Sequence, residues 1–290
     1  TATLASTAKA DLVALSTAST DVITVPVSDT VSVTELNAIA GKTGGPVTAT
    51  VTTGNTASFS ALATDSNDII TINISDNPSV TNLNTIAGKT GGVVTATLAT
   101  GNTASYSALN TAATDDITIN INDNPSVADL NTIAGKTAGV VTATLATGAL
   151  STFSALSTSG TDQITVNVND ADGVDLNATD LSALGAKTAA AVNVTEAVDI
   201  SGTTDEVTAA LVTTGSLVLV ADANVSISDN PTISELNDIA AKTTGVVTAT
   251  LAATSLSALG SLSTASTDVI TITVNDGDGT DINATDLSTL

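Results

Sequence analysis

Five-residue stretches in which every second position is apolar recur along the chain. In one, Val94, Ala96 and Leu98 alternate with Thr95 and Thr97; in another, Ile117, Ile119 and Ile121 alternate with Thr118 and Asn120. A period of two places the apolar groups on one face, which predicts half-buried strands. Ahead of each strand the period changes. Leu83 and Ile86 stand three apart, Ala87 follows, Ser79 precedes them and Gly91-Gly92 comes after. That pattern predicts one or two helical turns with a serine N-cap and a glycine stop.

These pieces repeat. The segment NPSVTNLNTIAGKTGGVVTATLATGN (77–102) returns with few changes from Asn124, Asn230 and, in part, Val31. An Asp marks each copy, at 29, 76, 123, 170, 229 and 276, so the steps are 47, 47, 47, 59 and 47 residues. Each 47 holds two related halves. Their first large apolar residues are Leu12, Leu36, Phe59, Leu83, Tyr106, Leu130, Phe153, Leu181, Leu236, Leu259 and Leu287, with a weaker coil near Leu211. The halves are 23–24 residues long and number about twelve in all. A strand, a turn and a short helix in so few residues cannot close a core alone, whereas stacked copies can. The expected fold is a repeat solenoid: one parallel strand and one short helix or turn per coil, an α/β arrangement similar in architecture to leucine-rich repeats. An all-β parallel solenoid, with a bent second strand in place of the helix, is the alternative. The whole of 1–290 reads as a single continuous solenoid, irregular at 169–228 and 275–286. Twelve strands would stack over ~55 Å. Neither end resembles a cap, so further coils are expected beyond both.

Composition narrows the chemistry. The chain has 29 Asp and Glu against 6 Lys, a net charge of −23, and contains no Arg, His, Cys, Met or Trp. Zinc sites of the usual kinds, thiol nucleophiles, Ser-His-Asp triads and disulfides are excluded. Six scattered cations on so acidic a chain do not make a nucleic-acid footprint. No apolar run approaches the ~18 residues of a membrane span. The charge is not a signature of disorder, because 42% of the residues are hydrophobic. With only Phe59, Phe153 and Tyr106 as aromatics, the core must be built from Val, Ile, Leu and Ala. Nearly every polar residue is repeated, so no unique catalytic constellation stands out and an enzyme is not expected.

Three features could carry a function. An acidic insertion occurs twice, NDADGVDLNATDLSAL from Asn169 and NDGDGTDINATDLSTL from Asn275. Closely spaced oxygen ligands around a glycine turn suit calcium. The candidates are Asp170, Asp172, Asp175, Asn177 and Asp180, and Asp276, Asp278, Asp281, Asn283 and Asp286. The segment resembles dockerin and EF-hand loops with one extra residue before the Asn; a solvated Asp/Asn turn, with Asp180 and Asp286 as N-caps, is the other reading. Outward Thr pairs form the second feature: Thr48/Thr50, Thr95/Thr97, Thr142/Thr144 and Thr248/Thr250, with a Thr/Asn pair in most of the coils between them. Stacked in two files, they resemble the T-x-T face of ice-binding solenoids, although Thr is also simply a good residue for an exposed strand. Third, Lys42, Lys89, Lys136, Lys187 and Lys242 alternate with Asp21, Asp68, Asp115, Asp162 and Asp268. Stacking would set each Lys between two Asp and fix the coil register.

The alternation of V-x-x-L-N-x-I-A-G-K-T-x-G-V-V-T-A-T-L with an S-A-L-x-T-x-x-T-D-x-I-T-I-N-I half resembles the long Thr/Ala-rich repeats of very large secreted surface proteins of cyanobacteria and other marine bacteria. The resemblance covers the chain apart from about 189–224. It implies export to the extracellular space or cell surface. It also implies a structural role, as a rigid rod, filament or surface-layer element that self-associates through its ends or through further repeats of the same chain. A binding module, either an adhesin stalk or an ice-binding face, is the alternative.

Overall fold

The computed structural model describes residues 1–215 and 218–277. Among the described residues, parallel strands, singly or in pairs, alternate with short helices, and no sheet closes into a barrel. The chain forms two compact units, Thr1–Ala143 and Thr144–Leu290.

In the first unit each strand pairs in parallel with the next one along the chain, from Ala2–Thr3 to the start of Val141–Thr144. The expected alternation holds. Val94, Ala96, Ile117 and Ile119 are almost completely buried, while Thr97, Thr118 and Asn120 are exposed. Helices connect the strands, as at Val33–Ala40, Val80–Ala87 and Val127–Ala134. Ser32, Ser79 and Ser126 cap their N-termini, each hydroxyl accepting from the N–H three residues on. Leu83 and Ile86 of the helix and Val94 of the following strand are all fully buried, giving a thin aliphatic core. The intervening coils carry shorter helices, such as Thr56–Ser60 and Thr103–Tyr106, capped by Asn55 and Asn102. There an aromatic ring supplies the core that the missing helical turn would have given: Phe59 is fully buried, and Tyr106 nearly so. The Tyr106 hydroxyl lies 2.6 Å from the carbonyl of Ala99 and 3.0 Å from that of Asn120, and burial raises its pKa.

The second unit departs from this plan where the sequence is irregular. Its coils between Gln163 and Ile227 are split into two short strands each. Gln163–Val168, Val192–Val194 and Val218–Val220 form one set of parallel neighbours. Asp175–Asn177, Asp199–Gly202 and Asn224–Ile227 form another, continued by Val247–Thr250 and Val269–Thr271. The weak coil is well formed. Thr204–Leu211 is a helix with a Thr203–Glu206 capping box. The apolar residue four places after its N-cap is Val207, fully buried, and not Leu211. Val207 thus matches Leu36, Leu83 and Leu130, each also four places after its cap.

Two local expectations are corrected. The glycine pair does not stop the helix. The helix Val80–Ala87 ends on Gly88 in right-handed geometry, and Gly173 is the only positive-φ glycine among the described residues, at 71°. The pair is needed because the backbones of neighbouring coils touch. A Cβ on Gly92 would stand 2.6 Å from the carbonyl oxygen of Ile70, and one on Gly139 2.6 Å from that of Ile117. Nor do the periodic Lys form ion pairs with Asp21, Asp68, Asp115 or Asp268. The single ion pair among the described residues is Lys9–Glu35, at 3.1 Å. Lys89 donates instead to the carbonyl of Leu62, and Asp68, Asp115 and Asp268 turn to backbone N–H groups.

Candidate functional site

The polar residues that repeat most strictly are the ones that join one coil to the next. Asp115 is 3% exposed. Its Oδ1 accepts from the N–H of Val94, where the preceding strand begins, and its Oδ2 accepts from the N–H of Ala112 in its own turn, both at 2.8 Å. Asp68 does the same with Val47 and Asp65, and Asp268 with Val247 and Ala265. A buried carboxylate is stable when several N–H donors face it.

A second device is the threonine after each periodic Lys. The Thr90 hydroxyl accepts from the N–H groups of Ile70 at 2.7 Å and Gly92 at 2.8 Å, and lies 2.9 Å from the carbonyl of Ile70. Thr43, Thr137 and Thr188 repeat the arrangement. One hydroxyl therefore ties two coils at the place where the glycine lets them approach; the copy after Thr188 carries Ala190 in place of the second glycine.

The Asp residues that mark the repeat form a third device. Asp76 Oδ1 accepts from both the N–H and the hydroxyl of Thr56, at 2.8 and 2.7 Å. Asp123 holds Thr103, and Asp229 holds Thr204, in the same way. Each acceptor caps the first helical N–H of the coil before it. The threonine hydroxyl bonds hold all three carboxyls below the usual aspartate range. In the capping box of Ser32, bonds from the Ser32 backbone and side chain, with Lys9 adding to them, hold Glu35 at about 2. Asparagine closes the opposite turn: Asn84 donates to the carbonyl of Ala108 at 2.7 Å and accepts from the N–H of Asn110 at 2.8 Å, and Asn37 and Asn237 do likewise one coil on.

The calcium candidates fall into this scheme. Asp170 and Asp276 occupy the marker position and cap the N–H groups of Leu150 and Leu256. Asn177 caps the helix Ala178–Gly185 through the N–H of Thr179 at 2.8 Å. Asp172 accepts from the N–H of Ala197 at 3.1 Å. Asp175 opens a short strand and Asp180 lies exposed in the first helical turn. Asp170, Asp175, Asn177 and Asp180 line one open cleft of about 530 Å³, floored by Phe153, Leu156, Leu176 and Leu184. Among the described residues no three acidic side chains gather as a metal-holding group. Asp278, Asp281, Asn283 and Asp286 lie outside the described residues.

The threonine pairs do not line up as two straight files. Successive strands are staggered by two residues relative to the sequence repeat. Thr48 lies opposite Ile69, and it is Thr50 that lies opposite Thr71. Thr95 faces Asn73 on one side and Asp116 on the other, Thr97 faces Thr118, and Thr142 faces Asn120. In the second unit Thr248 and Thr250 lie opposite Val269 and Thr271. Thr144 is exposed, like Thr48 and Thr50. Rows across the strands thus mix Thr with Ile, Val, Asn and Asp.

Among the described residues, no helix is long and apolar enough to cross a membrane. No protein-family model matches the chain, and it matches neither a curated protein nor a solved structure.

Proposed function

We propose that the chain is an extracellular structural repeat protein, a stiff element of a filament or surface layer built by stacking coils of 23–24 residues, each with one strand and one short helix. The observation that carries this reading is where the repeated polar residues direct their hydrogen bonds. The Asp115-type carboxylates, the Thr90-type hydroxyls and the Asn84-type amides all bond backbone groups of a neighbouring coil. Such a chain resists bending because each junction carries several short bonds in addition to its apolar core. The same commitment leaves these groups without a free nucleophile or general base, which supports a non-catalytic role. Assembly would proceed by strand addition at exposed sheet edges, either between copies or with further repeats of the same chain. The mixed rows on the outer sheet face favour this reading over the ice-binding alternative, which relies on a regular hydroxyl array.

Negative-stain electron microscopy of the purified chain, in calcium and in chelator, tests the proposal. Filaments of uniform width support it. Monodisperse particles at every concentration, combined with thermal hysteresis in solution, would overturn it in favour of the ice-binding alternative.

A further inference from the structure

The outward face of the sheet in the first unit differs from the rest of this acidic chain. Five strands, from Val47–Val51 to Val141–Thr144, turn eleven side chains outward between Thr48 and Thr142. Asp116 is the only charged one among them, although the chain carries 29 acidic residues and 6 Lys. The exposed large apolar residues gather on the same side. Within the first unit these are Val13, Val22, Ile69, Val93 and Val140; Ile69, 52% exposed, opens one of the five strands, Val93 and Val140 each stand one residue before another in the outward phase of its alternation, and Val22 does so before the neighbouring strand Ile23–Val31. Depletion of charge together with concentrated apolar exposure marks the centre of an association surface.

We infer that this face is a lateral interface for a second copy of the chain. The argument for a second copy is electrostatic. Two chains of net charge −23 repel wherever their acidic turns meet. The marker carboxylates Asp76 and Asp123 sit at the helix-side turns, where each caps the helix of the coil before it. Outer sheet face against outer sheet face is the approach that brings neutral Thr, Asn, Ile and Val into contact while keeping those turns apart. A cationic partner would be drawn to the acidic turns rather than to this face. The size of the face sets the strength. Five strands about 4.8 Å apart and about 15 Å long present roughly 350 Å², about half of the ~800 Å² per partner typical of a stable complex. Pairing through one such face is weak and concentration-dependent, and it becomes firm when several faces act together along a repeat array. This contact is independent of end-to-end stacking, which uses strand edges.

Sedimentation equilibrium of the 290-residue chain over a range of concentration and NaCl tests the inference. The expected result is reversible self-association that strengthens with salt, because screening removes the long-range repulsion while leaving the neutral contact. Ile69→Glu with Thr118→Glu places like charge in the face and should abolish it. Ala104→Glu with Ala128→Glu, an equal added charge on exposed residues of the helices Thr103–Tyr106 and Val127–Ala134, should leave it at the wild-type level. Urea unfolding of all variants verifies that they are folded. A chain that stays monomeric throughout overturns the inference, as does association that weakens with salt. Association that survives Ile69→Glu with Thr118→Glu is assigned to the chain ends and also overturns it, while leaving the stacking proposal standing.

Discussion

Asp115 Oδ1 accepts a hydrogen bond at 2.8 Å from the backbone N–H of Val94, a residue of the preceding strand. The same carboxylate closes its own turn through the N–H of Ala112. A carboxylate can accept both bonds, whereas an amide offers one oxygen and turns an NH₂ group toward the other donor. Asp115→Asn should therefore destabilise the first unit by about 1–3 kcal/mol, and Asp115→Ala by at least as much, since each buried unsatisfied donor carries that order of penalty. Urea unfolding followed by circular dichroism measures it. An Asp115→Asn midpoint equal to wild type would show that neither the charge nor the second acceptor oxygen contributes.

Thr90 makes a sharper pair of variants. Thr90→Val keeps the shape and removes the hydroxyl that accepts from Ile70 and Gly92. Thr90→Ser keeps the hydroxyl and loses a methyl group. The valine variant should lose about 1–3 kcal/mol, and the serine variant clearly less. The reverse order in thermal unfolding would mean that packing, not hydrogen bonding, holds this residue.

The alternation of Val94, Ala96 and Leu98 with Thr95 and Thr97 was enough to place the strands, and Ser79 with Leu83 and Ile86 was enough to place the helices. Each is a local signal carried by a few consecutive residues. What joins coils was not legible in the same way. Asp115 and Thr90 read as a surface charge and an ordinary polar residue, because their partners lie about twenty residues away and are backbone groups, which have no identity in the sequence. The stagger that sets Thr48 opposite Ile69 is hidden for a similar reason: the 47-residue period gives the length of the path around two coils, not the slant of the strands. The one available hint was the constancy of Thr after Lys and of Asp just before the strand, after Thr at 21, 115, 162 and 268 and after Asn at 68, across copies whose exposed positions vary.

Gly92→Ala should be costly and Gly88→Ala should not. The first adds a Cβ 2.6 Å from the Ile70 oxygen, a backbone atom that cannot move without shifting the strand. Overpacking of this kind costs about 1–3 kcal/mol. The second adds one 3.4 Å from the nearest atom, the Asn84 oxygen, in a residue with φ of −66°. There the loss of unfolded-state freedom should offset the contact or slightly exceed it. Equal melting temperatures for the two variants would refute the close-approach explanation of the glycine pair.

Stability should fall in acid through the capping carboxylates. Glu35 is held at about 2, against 4.5 for an ordinary glutamate, and Asp76 lies below its ordinary 3.8. With folded values below unfolded ones, the unfolded chain takes up protons first as pH falls. The stabilisation is therefore complete above about pH 5 and is lost progressively down to about pH 2. General protonation also relieves the repulsion within a chain of charge −23, so the wild-type curve alone mixes two effects of opposite sign. The difference between wild type and Glu35→Gln or Asp76→Asn isolates the caps. Measured by urea unfolding from pH 7 to pH 2, it should be largest at neutral pH and shrink in acid. A difference independent of pH would remove the carboxylates from the account.

Calcium can be tested at one loop without reference to the other. Within 169–180, Asp170 and Asn177 already accept backbone N–H groups that would need new partners if a cation drew these side chains away. Asp172 accepts from Ala197 through Oδ1 alone, so its removal takes away both a loop bond and a candidate calcium ligand. Thermal unfolding of wild type and Asp172→Ala, each in millimolar calcium and in excess chelator, gives the comparison. With calcium in this loop the calcium-minus-chelator shift is expected in wild type and is lost in Asp172→Ala, because stabilisation by a bound ligand follows occupancy of its own site; an equal shift in both proteins would remove Asp172 from any ion site. A shift present in wild type and absent in Asp172→Ala would place a calcium ion in this loop. The caps of Asp170 and Asn177 would then be features of the metal-free chain.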